Sequence, residues 1–209
     1  MTVFSHDAFM AEWRSVRSPD GSKITQREYD LVMAAISGKW EPASPATQRI
    51  ELPWIAEARR LIGQREIPGP RHNSWIAKGW ARLGAGWFND DETPWCGFFV
   101  AHCLDAAGQP YPGKGAFARA REWASWGKAS PPRYGCIAVF GRQGGGHVGF
   151  AVGESASNLY ILGGNQSNAV NIMPIAKSRL LATRWPAGLP LSTVPLPPMN
   201  GGVISRNEA

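Results

Sequence analysis

Cysteine is scarce in this sequence, and the three that occur form no framework. Cys96, Cys103 and Cys136 are odd in number and show no CxxC spacing. This pattern argues against a disulfide scaffold and against a structural zinc site. We therefore predict neither a metal nor another cofactor.

Long apolar runs are missing as well. No stretch approaches the roughly 18 consecutive apolar residues of a membrane span, so we expect no stable insertion into a membrane. Residues 1–7 lack a basic segment followed by an apolar core, which predicts synthesis in the cytoplasm without a secretory signal. Runs of Lys or Arg are also absent, and this argues against a nucleic-acid partner.

The charge that is present is unevenly distributed. The 22 basic and 16 acidic side chains give a formal net charge of +6. Residues 51–186 carry fifteen of the basic and nine of the acidic side chains, whereas the segments on either side are balanced. A basic surface concentrates anionic partners such as acidic lipids or cell-wall polymers; ordinary solubility is the alternative explanation.

Periodicity and turn residues divide the chain into four segments. We predict a short helical appendage at residues 1–40, a linker at 41–51, one main domain at 52–186 and a flexible tail rich in proline and glycine at 187–209. In the main domain, helices are predicted at 54–62, 75–83, 96–107 and 116–126, and strands at 136–140, 147–152, 158–162 and 169–175. Helices first and antiparallel strands later predict an α+β fold.

Cys96 is the candidate nucleophile. Pro94 favours a helix that starts just after it, which places Cys96 in the first helical turn. A helix N-terminus and a neighbouring imidazole lower the pKa of a thiol, and the unpaired N–H groups there stabilise an oxyanion. Gly97 is expected to keep the approach to the sulfur open.

A base and an orienting amide follow in the chain. His147 begins a strand after three glycines, and Asn165 comes after the return strand, as a Cys-His-Asn arrangement requires. His72 and His102 are weaker candidates, because one lies in a polar loop and the other lies inside the Cys96 helix. Each residue also has a structural alternative: a core cysteine, a structural histidine, a simple turn.

Three short motifs resemble the papain-like cell-wall hydrolases. These motifs are Trp95-Cys96, Gly146-His147-Val148-Gly149 and Gly163-Gly164-Asn165-Gln166. They are similar to NlpC-type peptidases and to CHAP (cysteine, histidine-dependent amidohydrolase/peptidase) domains, in particular to a subgroup common in phage and proteobacterial genomes. The resemblance extends over about residues 52–186. The chain departs from it at Gly135-Cys136, where members usually have Gly-Asp.

This resemblance implies a fold, a reaction and a set of site residues. The fold would be papain-like, with the nucleophile at the start of a central helix that packs on a small antiparallel sheet. The reaction would be hydrolysis of a peptidoglycan amide, by an endopeptidase or an N-acetylmuramoyl-L-alanine amidase. Cys96 would be the nucleophile, His147 the base and Asn165 the orienting residue, with Gln166 as the alternative third residue. Groove residues would be Trp95, Asp91, Glu66 and Gln166.

The expected protein is therefore a monomeric phage or prophage endolysin that acts on peptidoglycan after release by a holin or a secretion system. A non-catalytic wall-binding module and an antibacterial effector with the same chemistry remain alternatives. A muramidase is disfavoured, since nothing in the sequence pairs Glu66 with Asp91. Some CHAP domains bind calcium upstream of the cysteine, but the acidic run at residues 89–92 is better explained as an exposed turn.

Overall fold

The computed structural model describes Phe9, Trp13, residues 26–36 and residues 51–205. Contacts divide the chain into two units, residues 1–50 and 51–209. In the first unit, Phe9 and Trp13 are helical and their rings stack 6.3 Å apart, and helix α1 spans Gln26–Ile36. The rest of the predicted helical appendage and of the linker lies outside the described residues.

Three helices begin the larger unit, within about two residues of where the sequence predicts them. They are α2 (Pro53–Arg60), α3 (Ser74–Arg82) and α4 (Cys96–Ala106). Pro53 occupies the first turn of α2, where its missing N–H costs nothing. The Asn73 side chain caps α3 by accepting a hydrogen bond from the Trp75 N–H. None of the helices that the structure describes has the length and hydropathy needed to cross a bilayer.

A six-stranded antiparallel sheet follows the helices and completes the predicted α+β, papain-like architecture. Its strands are β1 (Lys128–Ala129), β2 (Ile137–Arg142), β3 (Gly145–Glu154), β4 (Asn158–Gly163), β5 (Asn171–Ala176) and β6 (Leu180–Trp185). Their order across the sheet is β1-β6-β2-β3-β4-β5. Strands β2, β3, β4 and β5 are the four that the sequence predicts. β1 and β6 are not predicted, and β6 inserts between β1 and β2.

The helix predicted at 116–126 is instead two 3-10 helices, Ala116–Ala118 and Ala120–Ser125. Arg119 between them is extended. The Phe117 carbonyl accepts a hydrogen bond from the buried Trp123 Nε1, at 2.9 Å. This carbonyl is therefore used by a side chain, and a continuous α-helix does not form. A third 3-10 helix spans Lys177–Arg179.

Helix α4 lies at the centre of the core. Nine consecutive residues, 96–104, are buried, so the helix is covered on all sides. The Phe99 ring lies 6.1 Å from that of Phe150 on β3, and the Phe98 ring lies 5.0 Å from that of Trp80 on α3. The helix start is thus held between the sheet and the first helices.

Residues 189–205 pack on the rest of the larger unit, which differs from the flexible tail expected for 187–209. The Glu154 N–H donates to the Pro197 carbonyl at 2.9 Å, and the Met199 N–H donates to the Glu154 carbonyl at 2.8 Å. Leu196 is buried in the same segment. Proline limits regular strand pairing but not this bridge or the burial of apolar side chains. Residues 206–209 of the predicted tail lie outside the described residues.

Candidate active site

Cys96 is the first residue of α4, as the sequence predicts. Trp95 precedes the helix and its side chain makes no capping hydrogen bond, so the first N–H groups of the helix have no cap from that residue. The backbone N–H groups of Val148 and Gly97 lie where they favour negative charge on the sulfur. The side chain is only 5% exposed. The thiol is therefore enclosed by N–H donors that would stabilise negative charge.

Burial nevertheless raises the pKa of the Cys96 thiol above its usual value. The N–H groups of Val148 and Gly97 and the positive charge of Arg142 lower the pKa, but they do not outweigh the loss of water. This differs from the lowered pKa expected from the helix start alone. The thiol thus requires a base that removes its proton during the reaction.

The other two cysteines are inert core residues. Burial raises the pKa of Cys136 to about 11 and that of Cys103 well above its usual value. Both side chains are fully buried, and neither forms a disulfide. Cys96 is the cysteine that the fold places at a helix start beside N–H donors.

His147 lies on β3, directly opposite Phe140 on β2. Its side chain is 1% exposed. The next residue, Val148, supplies one of the N–H groups at the Cys96 sulfur. The residue that follows His147 on β3 therefore lies beside Cys96, although the two segments are far apart in the chain.

Gln166 holds the imidazole of His147. The Oε1 atom of Gln166 lies 3.0 Å from His147 Nε2, in a buried contact. The Nε2 group of the amide donates to the carbonyls of Ile161 and Asn171, at 3.1 and 2.8 Å, and to the Asn171 side-chain oxygen at 2.9 Å. Because these partners are acceptors, the amide oxygen must face the histidine.

This orientation determines which imidazole nitrogen can act as a base. An amide oxygen can only accept, so His147 Nε2 carries the proton and donates it to Gln166. Nδ1 is then the nitrogen with a lone pair. Asn171 is part of the same support, because its side chain also donates to the Gln166 backbone carbonyl at 2.8 Å. Asn171 is not among the residues that the sequence predicts for the site; its only signal in the sequence is an amide at the start of the neighbouring strand.

Asn165 occupies a different position from the one expected for the orienting residue. No hydrogen bond between Asn165 and His147 occurs in the described structure; the bond comes from its neighbour. Asn165 is 4% exposed, has a left-handed φ of 55°, and its Oδ1 has no hydrogen-bond partner among the described residues. A buried, unpaired amide oxygen on strained backbone does not stabilise a fold.

Two glycines bring this loop close to His147 and to the start of α4. A Cβ on Gly163 would lie 3.1 Å from His147 Nε2, and a Cβ on Gly164 would lie 2.5 Å from the Cβ of Phe99 and 2.6 Å from the Trp95 ring. No larger residue fits at Gly164 without displacing the start of α4. The Gly-Gly pair is therefore needed for close packing between the loop, the histidine and the helix.

The predicted groove residues are mostly buried rather than lining a surface. Trp95 is fully buried, and its Nε1 donates to Glu66 Oε1 at 2.8 Å. Gln166 is fully buried too. Only Glu66 of the four is partly exposed; burial and the nearby acidic side chains raise the pKa of its carboxyl. The structure gives Trp95 and Gln166 supporting positions in the site.

Asp91 is also enclosed, which differs from a groove position. It is fully buried, and one oxygen accepts from the N–H groups of Ile67 and Asn73, at 2.9 and 2.7 Å. The other oxygen accepts from His72 at 2.8 Å. Burial alone would raise the pKa of Asp91, but these three donors together lower it. Asp91 thus fastens the loop before α3 to the turn before α4.

The two competing histidines, His72 and His102, have hydrogen-bond partners other than Cys96. His72 contacts Asp91, as described above. His102 accepts from Arg82 Nη2 at 2.7 Å and donates to Glu57 Oε1 at 2.9 Å, so it links α2, α3 and α4. Burial lowers the pKa of His102.

In the acidic turn before α4, the carboxylate oxygens of Asp90 and Asp91 accept hydrogen bonds from nearby groups of the protein. Asp90 accepts hydrogen bonds from the backbone and the hydroxyl of Thr93. Within residues 26–36 and 51–205, no group of three or more His, Cys, Asp or Glu side chains is arranged to hold a metal ion.

Comparison with known families gives one match. A family model described as the CHAP domain matches residues 87–165, a range that contains Cys96 and His147 and ends one residue before Gln166. No curated protein matches the chain.

Proposed function

Because the chain carries a CHAP domain at residues 87–165, we propose that it hydrolyses an amide bond of peptidoglycan through a thioester on Cys96. CHAP domains are typically cysteine- and histidine-dependent peptidoglycan hydrolases. The observation that carries the proposal is the contact between His147 Nε2 and Gln166 Oε1. This contact leaves Nδ1 as the basic nitrogen in the region where β3 meets the start of α4.

The proposed reaction has two balanced steps. His147 Nδ1 accepts the proton of the Cys96 thiol while the sulfur bonds to the carbonyl carbon, and the backbone N–H of Cys96 donates to the resulting oxyanion. The C–N bond then breaks and the amine leaves with the proton from the imidazolium. Water next attacks the thioester and gives a proton to His147, and that proton returns to the thiol as the acid is released.

Purified sacculi test this proposal. We expect the wild-type protein to release new amino groups and new carboxyl groups, and Cys96→Ala to release them at least about 10³-fold more slowly. Mass spectrometry of the fragments identifies the bond, because muramoyl-alanine cleavage separates glycan from peptide and endopeptidase cleavage divides the peptide. Full activity of Cys96→Ala would refute the thioester mechanism. New reducing ends would indicate a muramidase, and binding without release would indicate a wall-binding module.

We further propose that the wall is cut from the cytoplasmic side, as by a phage or prophage endolysin. The resemblance of its three motifs to a subgroup of these hydrolases that is common in phage and proteobacterial genomes supports this. Expression should leave cells intact until the inner membrane is permeabilised, after which turbidity falls with the wild type but not with Cys96→Ala. Toxicity that only a neighbouring gene product suppresses would instead indicate an antibacterial effector.

A further inference from the structure

Asn165 carries a buried amide that the fold itself does not use. Its side chain is 4% exposed, and its Oδ1 accepts no hydrogen bond from any protein group in the part of the chain that the structure describes. Taking an amide oxygen out of water without a compensating hydrogen bond costs free energy, so buried polar atoms are nearly always paired. This exception calls for a partner other than the protein's own groups.

Backbone conformation does not account for an asparagine at this position. The φ of Asn165 is 55°, in the left-handed region that asparagine tolerates better than most residues. Glycine adopts that conformation freely, and the chain uses Gly163 and Gly164 directly before it. A glycine at 165 would also leave no amide oxygen to desolvate. The buried carboxamide therefore has a second reason, which its surroundings indicate.

Asn165 lies between the two parts of the candidate active site. The residue before it, Gly164, packs against the start of α4: a Cβ there would lie 2.6 Å from the ring of Trp95, the residue before the candidate nucleophile. The residue after it, Gln166, contacts His147 Nε2 at 3.0 Å. Consecutive Cα atoms are about 3.8 Å apart, so Asn165 is one residue away from both contacts.

A substrate that reaches Cys96 enters a site as enclosed as Asn165. Cys96 is 5% exposed, His147 is 1% exposed and Asn165 is 4% exposed. Reaction requires that the scissile carbonyl carbon come within about 3.5 Å of the sulfur, so a peptide segment occupies this depth in the bound state. The N–H groups of that segment leave water and need acceptors. An amide oxygen that is already desolvated and unpaired meets this need without a further desolvation cost.

We propose that Asn165 is a substrate-binding residue, whose Oδ1 accepts a hydrogen bond from a backbone N–H of the bound peptide near the scissile amide. This inference rests on the proposed function and adds a binding residue to it. The hydrogen bond forms when the peptide binds and is kept in the transition state, so it lowers KM and leaves kcat nearly unchanged. Gln166 keeps the separate role of orienting His147.

Asn165→Gly tests this role, with Asn168→Gly as the matched control. Asn168 lies in the same loop with nearly the same left-handed φ, 59°, but its side chain is exposed. On a synthetic stem peptide, Asn165→Gly should raise KM about 10-fold and keep kcat within about threefold, whereas Asn168→Gly should change neither by more than about twofold. An unchanged KM or a lowered melting temperature in Asn165→Gly, a loss confined to kcat, or an equal rise of KM in both variants overturns the proposal.

Binding to Cys96→Ala separates this proposal from the proposed function, because calorimetry then measures affinity without turnover. The ligands are the stem peptide and analogues in each of which an ester oxygen replaces one amide N–H. One analogue should bind about 10-fold more weakly than the parent peptide, and adding Asn165→Gly should remove this difference while Asn168→Gly keeps it. If no analogue shows a difference that depends on Asn165, the proposal fails even if sacculi are cleaved. A wild type that cleaves nothing, with the Asn165-dependent difference intact, refutes the hydrolase and not the binding role.

Discussion

At the scale of single residues, the neutral amide of Gln166 holds His147, the proposed base, and the surroundings of that amide explain its identity. The Gln166 Nε2 group faces the carbonyls of Ile161 and Asn171. A glutamate of the same shape would place an oxygen against those carbonyl oxygens, and this repulsion would be buried. The position therefore requires a residue that accepts at one end and donates at the other.

Exchange of Gln166 tests its orienting role. Gln166→Ala should lower kcat by roughly 10²-fold, the lower part of the range for general-base catalysis, because Nδ1 of His147 is then no longer held as the base. Gln166→Glu should lower the melting temperature although its volume is unchanged. Hydrolysis rates and thermal unfolding measure the two effects.

Asn165→Gly is the companion to that experiment. Glycine adopts the φ of 55° without strain and removes the unpaired Oδ1, so the melting temperature should not fall. If Gln166 orients the histidine, kcat should stay within about threefold of wild type. A large loss of kcat in Asn165→Gly, together with an active Gln166→Ala, would return the orienting role to Asn165.

Gly97 has a packing role that the sequence did not reveal. A Cβ at this position would lie 2.0 Å from the Phe117 carbonyl oxygen, which is backbone and cannot rotate away. Gly97→Ala should therefore cost about 1–3 kcal/mol, as overpacked cores do, and should displace Cys96. Gly113→Ala is the control, because nothing lies within 4 Å of its added Cβ. Equal melting temperatures for the two variants would contradict this packing role.

At the scale of elements, the regular helices and the central strands could be predicted, whereas two other features could not. The segment Leu180–Trp185 lacks a clean apolar alternation and four of its six residues are only partly buried, so nothing in it marks a strand. The break of 116–126 depends on the Phe117 carbonyl, which bonds a side chain. Both depend on contacts between distant segments rather than on local pattern.

In the candidate site, too, positions marked by local pattern could be predicted, whereas those that depend on distant contacts could not. Cys96 and His147 could be proposed because proline, glycine and strand signals mark their positions. The choice between Asn165 and Gln166 could not be made, because it depends on the left-handed φ of Asn165 and on acceptors from β4 and β5. The burial of the groove candidates Trp95 and Asp91 could not be predicted either, because it depends on contacts with α3 and with the loop before it.

The polar link between α2, α3 and α4 should make stability depend on pH. Hydrogen bonds from Arg60 and His102 lower the pKa of Glu57 to about 2, although burial opposes them, and burial lowers the pKa of His102. For both groups the unfolded chain binds more protons, so stability falls as pH falls. The loss starts below the usual value of 6.5 for His102 and continues from about 4.5 to about 2 for Glu57.

Chemical unfolding between pH 7 and pH 2.5 measures this dependence. Glu57→Gln should be less stable than wild type at pH 7, and the difference should shrink towards pH 2.5. Glu122→Gln, which removes an exposed carboxylate, should give a small and nearly constant difference. Parallel curves for wild type and Glu57→Gln would show that the link does not contribute to acid sensitivity.

At the scale of the whole molecule, the segment 189–205 contributes to the stability of the larger unit. Its backbone bridges Glu154 at the end of β3, the Tyr160 hydroxyl donates to the Gly201 carbonyl at 2.8 Å, and the Ser205 N–H donates to the Pro174 carbonyl at 2.9 Å. The Met199 sulfur lies 2.2 Å from where a Cβ on Gly153 would be, so this glycine admits the segment. Proline and glycine here allow close contact instead of mobility.

Truncation distinguishes a packed segment from a flexible tail. A chain that ends at residue 195 loses the buried Leu196 and the hydrogen bonds to β3, β4 and β5, a loss of several kcal/mol that should lower the melting temperature by about 5 °C or more. A chain that ends at residue 205 keeps all of these contacts and serves as the control. Hydrolysis at 20 °C should persist in both, because none of these contacts involves Cys96, His147 or Gln166. Equal melting temperatures would mean that the segment contributes nothing to the fold, and a selective loss of activity in the shorter chain would mean that it supports the site.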